Sequence, residues 1–222
     1  MTNQTAAHVR EYGGILAVPE KKALLWLAGR MPACVNSDHL TLLGLLSMFA
    51  AGGGFWVARW NRYALFAVIA ALALNWFGDS LDGTLARVRS RQRVRYGYYV
   101  DHVIDLIGTA ALLAGIAMSG FMTPLVAAAL LSAYVLVAAE TFLATHVRQV
   151  FQLSRFGFGP TELRVVLAAG ALKLFADPWV NLGGERFLLF DVGGIVAIIG
   201  LLAAFLYSAL CNTYRLYKED RV

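Results

Sequence analysis

Apolar residues dominate the chain in successive runs over about 37–58, 62–88, 96–119, 123–146, 161–176 and 190–213, separated by short polar or basic connections. A membrane helix needs about 20 apolar residues, and only the run 161–176 falls short of that. The pattern predicts an all-α fold, a polytopic membrane bundle of six transmembrane helices. Ahead of it, residues 1–19 read as a polar to mixed lead-in. EKKALLWLAGRM over 20–31 predicts a short amphipathic helix lying in the membrane interface, with Lys21, Lys22 and Arg30 on its polar side and Pro32 ending it. Ser37 or Asp38 is placed to cap the first span, and the stretch 177–188 reads as a polar loop. One membrane-embedded domain is expected over 1–222, with 1–35 as its juxtamembrane segment.

Composition agrees. Of the 222 residues 59% are hydrophobic and 15% charged, with mean hydropathy +0.63, whereas soluble domains carry about 25% charged residues. Apolar runs this long exclude a soluble bundle. The N-terminus shows no cleavable signal pattern. Cys34 and Cys211 are too far apart in sequence to suggest a disulfide framework or a metal site. The net charge of +5 does not point to nucleic acid, because the basic residues sit between the apolar runs. Four precede the first span, five fall in 87–95, three are Arg148, Arg155 and Arg164, and three lie in the tail; Arg59, Arg62, Lys173 and Arg186 fall on the other side. That asymmetry predicts both termini and the 87–95 turn on the cytoplasmic face.

One stretch breaks the apolar pattern. Between Asp79 and Asp105 the chain carries Asp79, Asp82, Asp101 and Asp105, with Gly83 and Gly97 and five arginines. Spacings of three and four put each carboxylate pair on one helix face. Four carboxylates meeting across two helices repel one another unless cations sit between them, and oxygen-only ligands suit Mg2+ or Mn2+. Gly83, Gly97 and Ala86 keep the acidic face clear of bulk, and Arg87 is placed to meet a phosphate as a fork of donors. The expected picture is two divalent cations, a diphosphate on small residues, and an arginine beside it. The other arginines of the turn read as a positive-inside loop. Within the later spans, Glu140 is a functional candidate by its position, completing the polar cavity near substrate phosphate or lipid, pairing with an arginine of the motif, or making a structural buried pair. Arg148, Arg155 and Arg164 are candidates for lining an entrance for substrate phosphate or lipid.

Asp79, Asp82, Gly83, Ala86, Arg87, Gly97, Asp101 and Asp105 together resemble the signature of the CDP-alcohol phosphotransferases, D-x2-D-G-x2-A-R-x8-G-x3-D-x3-D, with nine residues instead of eight between Arg87 and Gly97. The resemblance implies transfer of a substituted phosphate from a CDP-alcohol to an acceptor alcohol with release of CMP. It makes Asp105 the base, with His102 as second choice or as an orienting neighbour. It also implies a nucleotide corner at Asp38 and Thr41, where the family carries Asn-x-x-Thr, as well as a homodimer and a bacterial inner-membrane setting. Two donor classes stay open. CDP-diacylglycerol with a soluble acceptor suits the short chain. CDP-choline or CDP-ethanolamine with a diradylglycerol suits Asp101-His102 and the Gly159-Pro160-x-Glu162 segment. A different class, a non-catalytic or cation-transporting six-helix protein, fits less well: transporters place acids near the bilayer midplane, and here they cluster beside arginines at one edge.

Overall fold

The computed structural model describes residues 17–148 and 159–220. The lead-in over 1–16 and the segment 149–158, which contains Arg155, lie outside the described residues. Among the described residues seven helices follow in order: α1 (Ala17–Ala28), α2 (Ser37–Ala58), α3 (Ala64–Val88), α4 (Val94–Ser119), α5 (Pro124–Arg148), α6 (Pro160–Ala176) and α7 (Leu189–Glu219). Between α6 and α7 lies an antiparallel hairpin, β1 (Trp179–Leu182) and β2 (Glu185–Leu188). The fold is therefore helical except where a loop was expected. Gly183 and Gly184 both take positive φ, 62° and 91°, which suits the tight turn of a two-residue hairpin.

Five helices, α2 to α5 and α7, are long and apolar enough to cross a membrane. α6 has 17 residues and is not among them, so length alone supports five spans and not the expected six. α7 continues six residues beyond the expected end at 213; the Lys218 ammonium lies 4.5 Å from the Tyr214 ring one turn back. α1 starts three residues earlier than expected and stops at Ala28, ahead of Pro32. It buries Leu24 and Ala28 against Leu40, Leu81 and Leu85 while Trp26 stays exposed. The N-cap of α2 is Asn36, not Ser37 or Asp38: its side chain accepts from the His39 amide at 3.0 Å, and His39 Nδ1 accepts from the Asn36 amide.

α2 is the centre of the bundle, packing on α3 and α4. Without a hydrophobic drive between helices in lipid, small residues that let backbones approach become the contact points. A Cβ on Gly78 would stand 2.5 Å from the Leu40 carbonyl oxygen and 2.7 Å from the Gly44 nitrogen, and one on Gly52 would stand 2.5 Å from the Ala111 carbonyl oxygen. Below these crossings Phe55, Leu65, Val68 and Ile116 are fully buried, and Phe190 of α7 meets Phe55 edge-on at 5.7 Å.

The α3–α4 connection is five residues, 89–93. Ser90 stands in the left-handed region at φ 53°. The Arg91 amide bonds back to the Ala86 carbonyl at 2.9 Å and the Ser90 amide to Arg87 at 3.1 Å, a Schellman closure with serine where glycine is usual. Arg89 then reaches the α1–α2 linker. Its guanidinium donates to the carbonyls of Met31 (2.8 Å), Pro32 (2.9 Å) and Val35, tying the α1–α2 linker to the end of α3.

Two outcomes follow for thermal unfolding in detergent. Gly78→Ala is expected to lower stability by about 1–3 kcal/mol, because backbone must move to admit the methyl, while Gly53→Ala, whose Cβ meets nothing within 4 Å, leaves it unchanged or slightly higher. Ser90→Gly is expected to raise stability by about 1 kcal/mol by relieving the left-handed residue; an equal or lower melting temperature would contradict this reading of the turn.

Candidate metal and nucleotide site

α3 brings Asp79 and Asp82 to its last turns, and α4 brings Asp101 and Asp105 to its first turns. The close α2–α3 crossing at Gly44 and Gly78 lies beside Asp79, so the backbone geometry that fixes α3 also fixes its carboxylate. One oxygen each from Asp79, Asp101 and Asp105 lies within 4.8 Å of the others. Asp79 and Asp101 are half-buried and Asp105 is exposed. This donor set is all carboxylate oxygen at close quarters, which fits a hard divalent cation such as Mg2+ or Mn2+.

Asp82 does not join this group. Its carboxylate receives the Thr41 hydroxyl at 2.6 Å and its own neighbour's amide, Gly83. Ser37 Oγ donates to the Asp82 carbonyl at 2.9 Å. Thr41 therefore meets the motif through Asp82, and α2 is fastened to α3 at that level by two side chains.

Asp79 carries a cation already. Arg164 of α6 donates from Nη2 to Asp79 Oδ2 at 2.5 Å and from Nε to Asn75 Oδ1 at 2.7 Å, while Asn75 donates to the Gly44 carbonyl at 2.9 Å. Among the described residues, Arg164 Nη1 is buried without a hydrogen-bond partner. Asn75 was not singled out from the sequence; its position one turn before Asp79 is the signal that could have found it.

The residues of the expected nucleotide corner divide. Asp38 and Ala86 line one cavity of about 430 Å3 with Asn36, Ser37, Arg89 and Arg93, between the start of α2 and the α3–α4 connection. Asp79, Asp101 and Asp105 do not line it; it lies about two turns beyond Asp79 along α3. Asp38 is ion-paired with Arg93. Arg87 folds back along α3, its Nη2 donating to Thr84 Oγ1 at 3.0 Å, and a Cβ on Gly83 would stand 3.5 Å from its Nη1. Gly97 borders open space.

His102 turns toward its own helix. Its Nδ1 lies 2.8 Å from the Tyr98 carbonyl and 3.8 Å from Asp101 Oδ2, and its ring packs on Tyr98 at 4.2 Å and Phe142 at 5.1 Å. Glu140 makes a structural contact instead of completing the acidic cluster: Asn212 Nδ2 of α7 donates to it at 2.7 Å. Arg148 is the last residue of α5.

Three comparisons set this geometry beside known proteins. A family model described as CDP-alcohol phosphatidyltransferase matches residues 36–207. An archaetidylinositol phosphate synthase of Pyrococcus horikoshii is 32% identical over 88 residues, 40% of this chain and 44% of that protein. One of Methanothermobacter thermautotrophicus is 33% identical over 85 residues, 38% of this chain and 40% of that protein. The chain thus aligns with less than half the length of these relatives. The crystal structure of Mycobacterium tuberculosis phosphatidylinositol phosphate synthase with CDP-DAG bound superposes with TM-score 0.60 at 17% identity, covering 90% of this chain and 98% of that one, a likeness of fold.

The cluster predicts its own metal chemistry. Asp79→Asn or Asp101→Asn is expected to weaken Mn2+ binding, read by electron paramagnetic resonance in detergent, by about tenfold or more, whereas Glu140→Gln leaves it within about twofold. Equal losses in all three variants would place the ion elsewhere.

Proposed function

The chain belongs to the CDP-alcohol phosphatidyltransferase family, and from that premise we propose that it is an integral membrane enzyme of phospholipid synthesis, transferring a phosphatidyl-type group from a CDP-linked lipid to an alcohol and releasing CMP. The observation that carries this reading is the convergence of Asp79, Asp101 and Asp105 from two helices. We assign CDP-diacylglycerol as donor, because a solved protein of like fold holds CDP-DAG. We assign a soluble phosphorylated alcohol as acceptor, because both curated relatives are synthases of an inositol phosphate lipid. The buried Nη1 of Arg164, without a partner among the described residues, supports the second assignment, since a phosphate oxygen is an acceptor suited to it. The features that favoured an aminoalcohol donor have local roles. His102 is bonded to Tyr98, and Glu162 Oε2 accepts from the Gly159 amide at 3.0 Å as a helix cap.

Asp79, Asp101 and Asp105, with Asp82 as a fourth carboxylate set apart from them on the Thr41 hydroxyl, would hold two divalent cations, which would neutralise a diphosphate and stabilise the departing phosphate. The chain's own residues do the rest. Asp105, the exposed member of the cluster, accepts the proton of the acceptor hydroxyl. That oxygen bonds to the lipid-side phosphorus as the bond from phosphorus to the CMP oxygen breaks. His102, by its distance from Asp101, orients the acidic edge of α4. The cavity lined by Asp38 and Ala86 takes the cytidine end, with Thr41 holding Asp82 and Arg87 beside the diphosphate. Positioning and fixed charge carry most of the rate in such transfers.

The same reading makes α6 the sixth span. Its 17 residues rise about 25 Å. It runs antiparallel along α3, with Arg164 at Asp79 and Phe175 packed at 5.0 Å on Phe66. With six spans and the basic residues inside, both termini and the acidic cluster would face the cytoplasm, and we take the protein as a homodimer of a bacterial inner membrane.

The test is CMP release in detergent with Mg2+ or Mn2+. CDP-diacylglycerol with inositol phosphate or glycerol phosphate is expected to turn over, and CDP-choline with diacylglycerol is not. Asp105→Asn is expected to keep donor binding and lose at least about 100-fold in turnover; wild-type CMP release from that variant removes Asp105 as base.

A further inference from the structure

The first turn of α6 is held by polar contacts. Leu163, Val165 and Val166 are each about half exposed, and the buried apolar residues of α6, Ala171 and Leu174, lie at its other end. At the near end stands Glu20, from the first turn of α1. Its Oε1 accepts from Trp76 Nε1 at 2.8 Å, from Ser80 Oγ at 3.3 Å and from Thr161 Oγ1 at 2.8 Å. The residues interleave. On α3, Asn75 and Asp79 take the guanidinium of Arg164, while Trp76 and Ser80, the next row round the helix, take Glu20. On α6, Thr161 meets Glu20, and Arg164, three residues on, meets Asn75 and Asp79. One carboxylate and one guanidinium thus form adjacent rungs between α3 and α6, and the carboxylate comes from a helix that the sequence assigned to the membrane surface.

We propose that Glu20 is a positioning residue of the site: it docks the start of α6 on α3 and so sets the reach of Arg164 to Asp79. The inference rests on the transferase reading above and adds α1 to the working part of the molecule. A carboxylate with three donors in an apolar surround is worth keeping in place, because removing it strands all three. Arg164 then carries its charge to the acidic cluster from the polar first turn of a helix whose apolar contacts begin one turn on, at Leu167 and Ala168. Loss of Glu20 therefore falls on the step that uses Arg164 and spares the nucleotide end, which α2 and α3 build.

The experiment uses the full chain in detergent, with hydrogen exchange of α6 amides 160–166 as one arm and steady-state kinetics with CDP-diacylglycerol and inositol phosphate as the other. Glu20→Ala is expected to lower protection over 160–166 and to lower kcat/KM for the acceptor by about tenfold, with the KM for the donor within about twofold. Glu20→Gln, whose amide oxygen still accepts, is expected to recover to within about threefold. Thr161→Val, which removes one donor and no charge, is expected to follow Glu20→Ala at smaller amplitude and judges the proposal if Glu20→Ala does not fold. Unchanged protection in Glu20→Ala, or equal losses for donor and acceptor, overturns it. A wild-type chain that releases no CMP from any donor sinks the transferase reading alone, since the exchange arm still decides whether Glu20 docks α6.

Discussion

Carboxylates held within 4.8 Å of one another at the edge of an apolar bundle repel, and the organisation of this end of the molecule answers that repulsion. The Coulomb cost of like charges rises as the surroundings dry. The structure meets it with positive charge and with rigid backbone. Arg164 places a guanidinium on Asp79. The glycine crossing of α2 and α3 fixes the Asp79 backbone, so the point from which its side chain projects cannot move without parting two helices. Asp82, one turn on, is satisfied separately by Thr41, which spreads the four acids over two kinds of partner.

Polar side chains elsewhere serve registration more than stability. In apolar surroundings an interhelical hydrogen bond is worth about 0.6 kcal/mol on average, too little to hold a bundle but enough to choose among rotations of a helix. Asn212 on Glu140 fixes α7 against α5. Asp191 receives the Thr123 amide and hydroxyl, each at 2.6 Å, and so caps the start of α5 from α7. Arg89 does the same for the linker ahead of α2. Each contact joins elements whose apolar faces alone leave the angle between them open.

The spans were legible because their signal is additive: some twenty apolar residues outweigh any local ambiguity, and α2 and α3 end where the apolar pattern ends. The paired spacing of Asp79 with Asp82 and of Asp101 with Asp105 was legible because it lies within single helices, where period determines face. Contacts between helices were not. Nothing in the run around Glu20 distinguishes a surface acid from one that bonds to α3 and α6, because its partners are 56 to 141 residues away. The hairpin at 179–188 was read as a loop because its turn glycines and charges mask two four-residue strands. Asp38 was read as a possible cap because acids favour that position, yet Asn36 two residues earlier makes the reciprocal pair with His39.

The two places where this chain departs from the family signature meet in space. One is Asp38, where the resemblance has asparagine; the other is the additional residue between Arg87 and Gly97. The lengthened turn closes α3 through Ser90 and delivers Arg93 to the Asp38 carboxylate. Asparagine at 38 would offer a dipole, and a shorter turn would bring a different residue to the same point. Both members of the pair are about half exposed, and exposed pairs contribute only about 0.2–1 kcal/mol, so stability is a weak reason for the match. Register is a better one. The pair ties the start of α4 to the start of α2 across the mouth of the cavity that Ala86 lines, and α4 carries Asp101 and Asp105. α4 packs on α2, and an insertion in the turn would otherwise leave it free to shift along that helix; a charge on each side of the gap fixes where it stops.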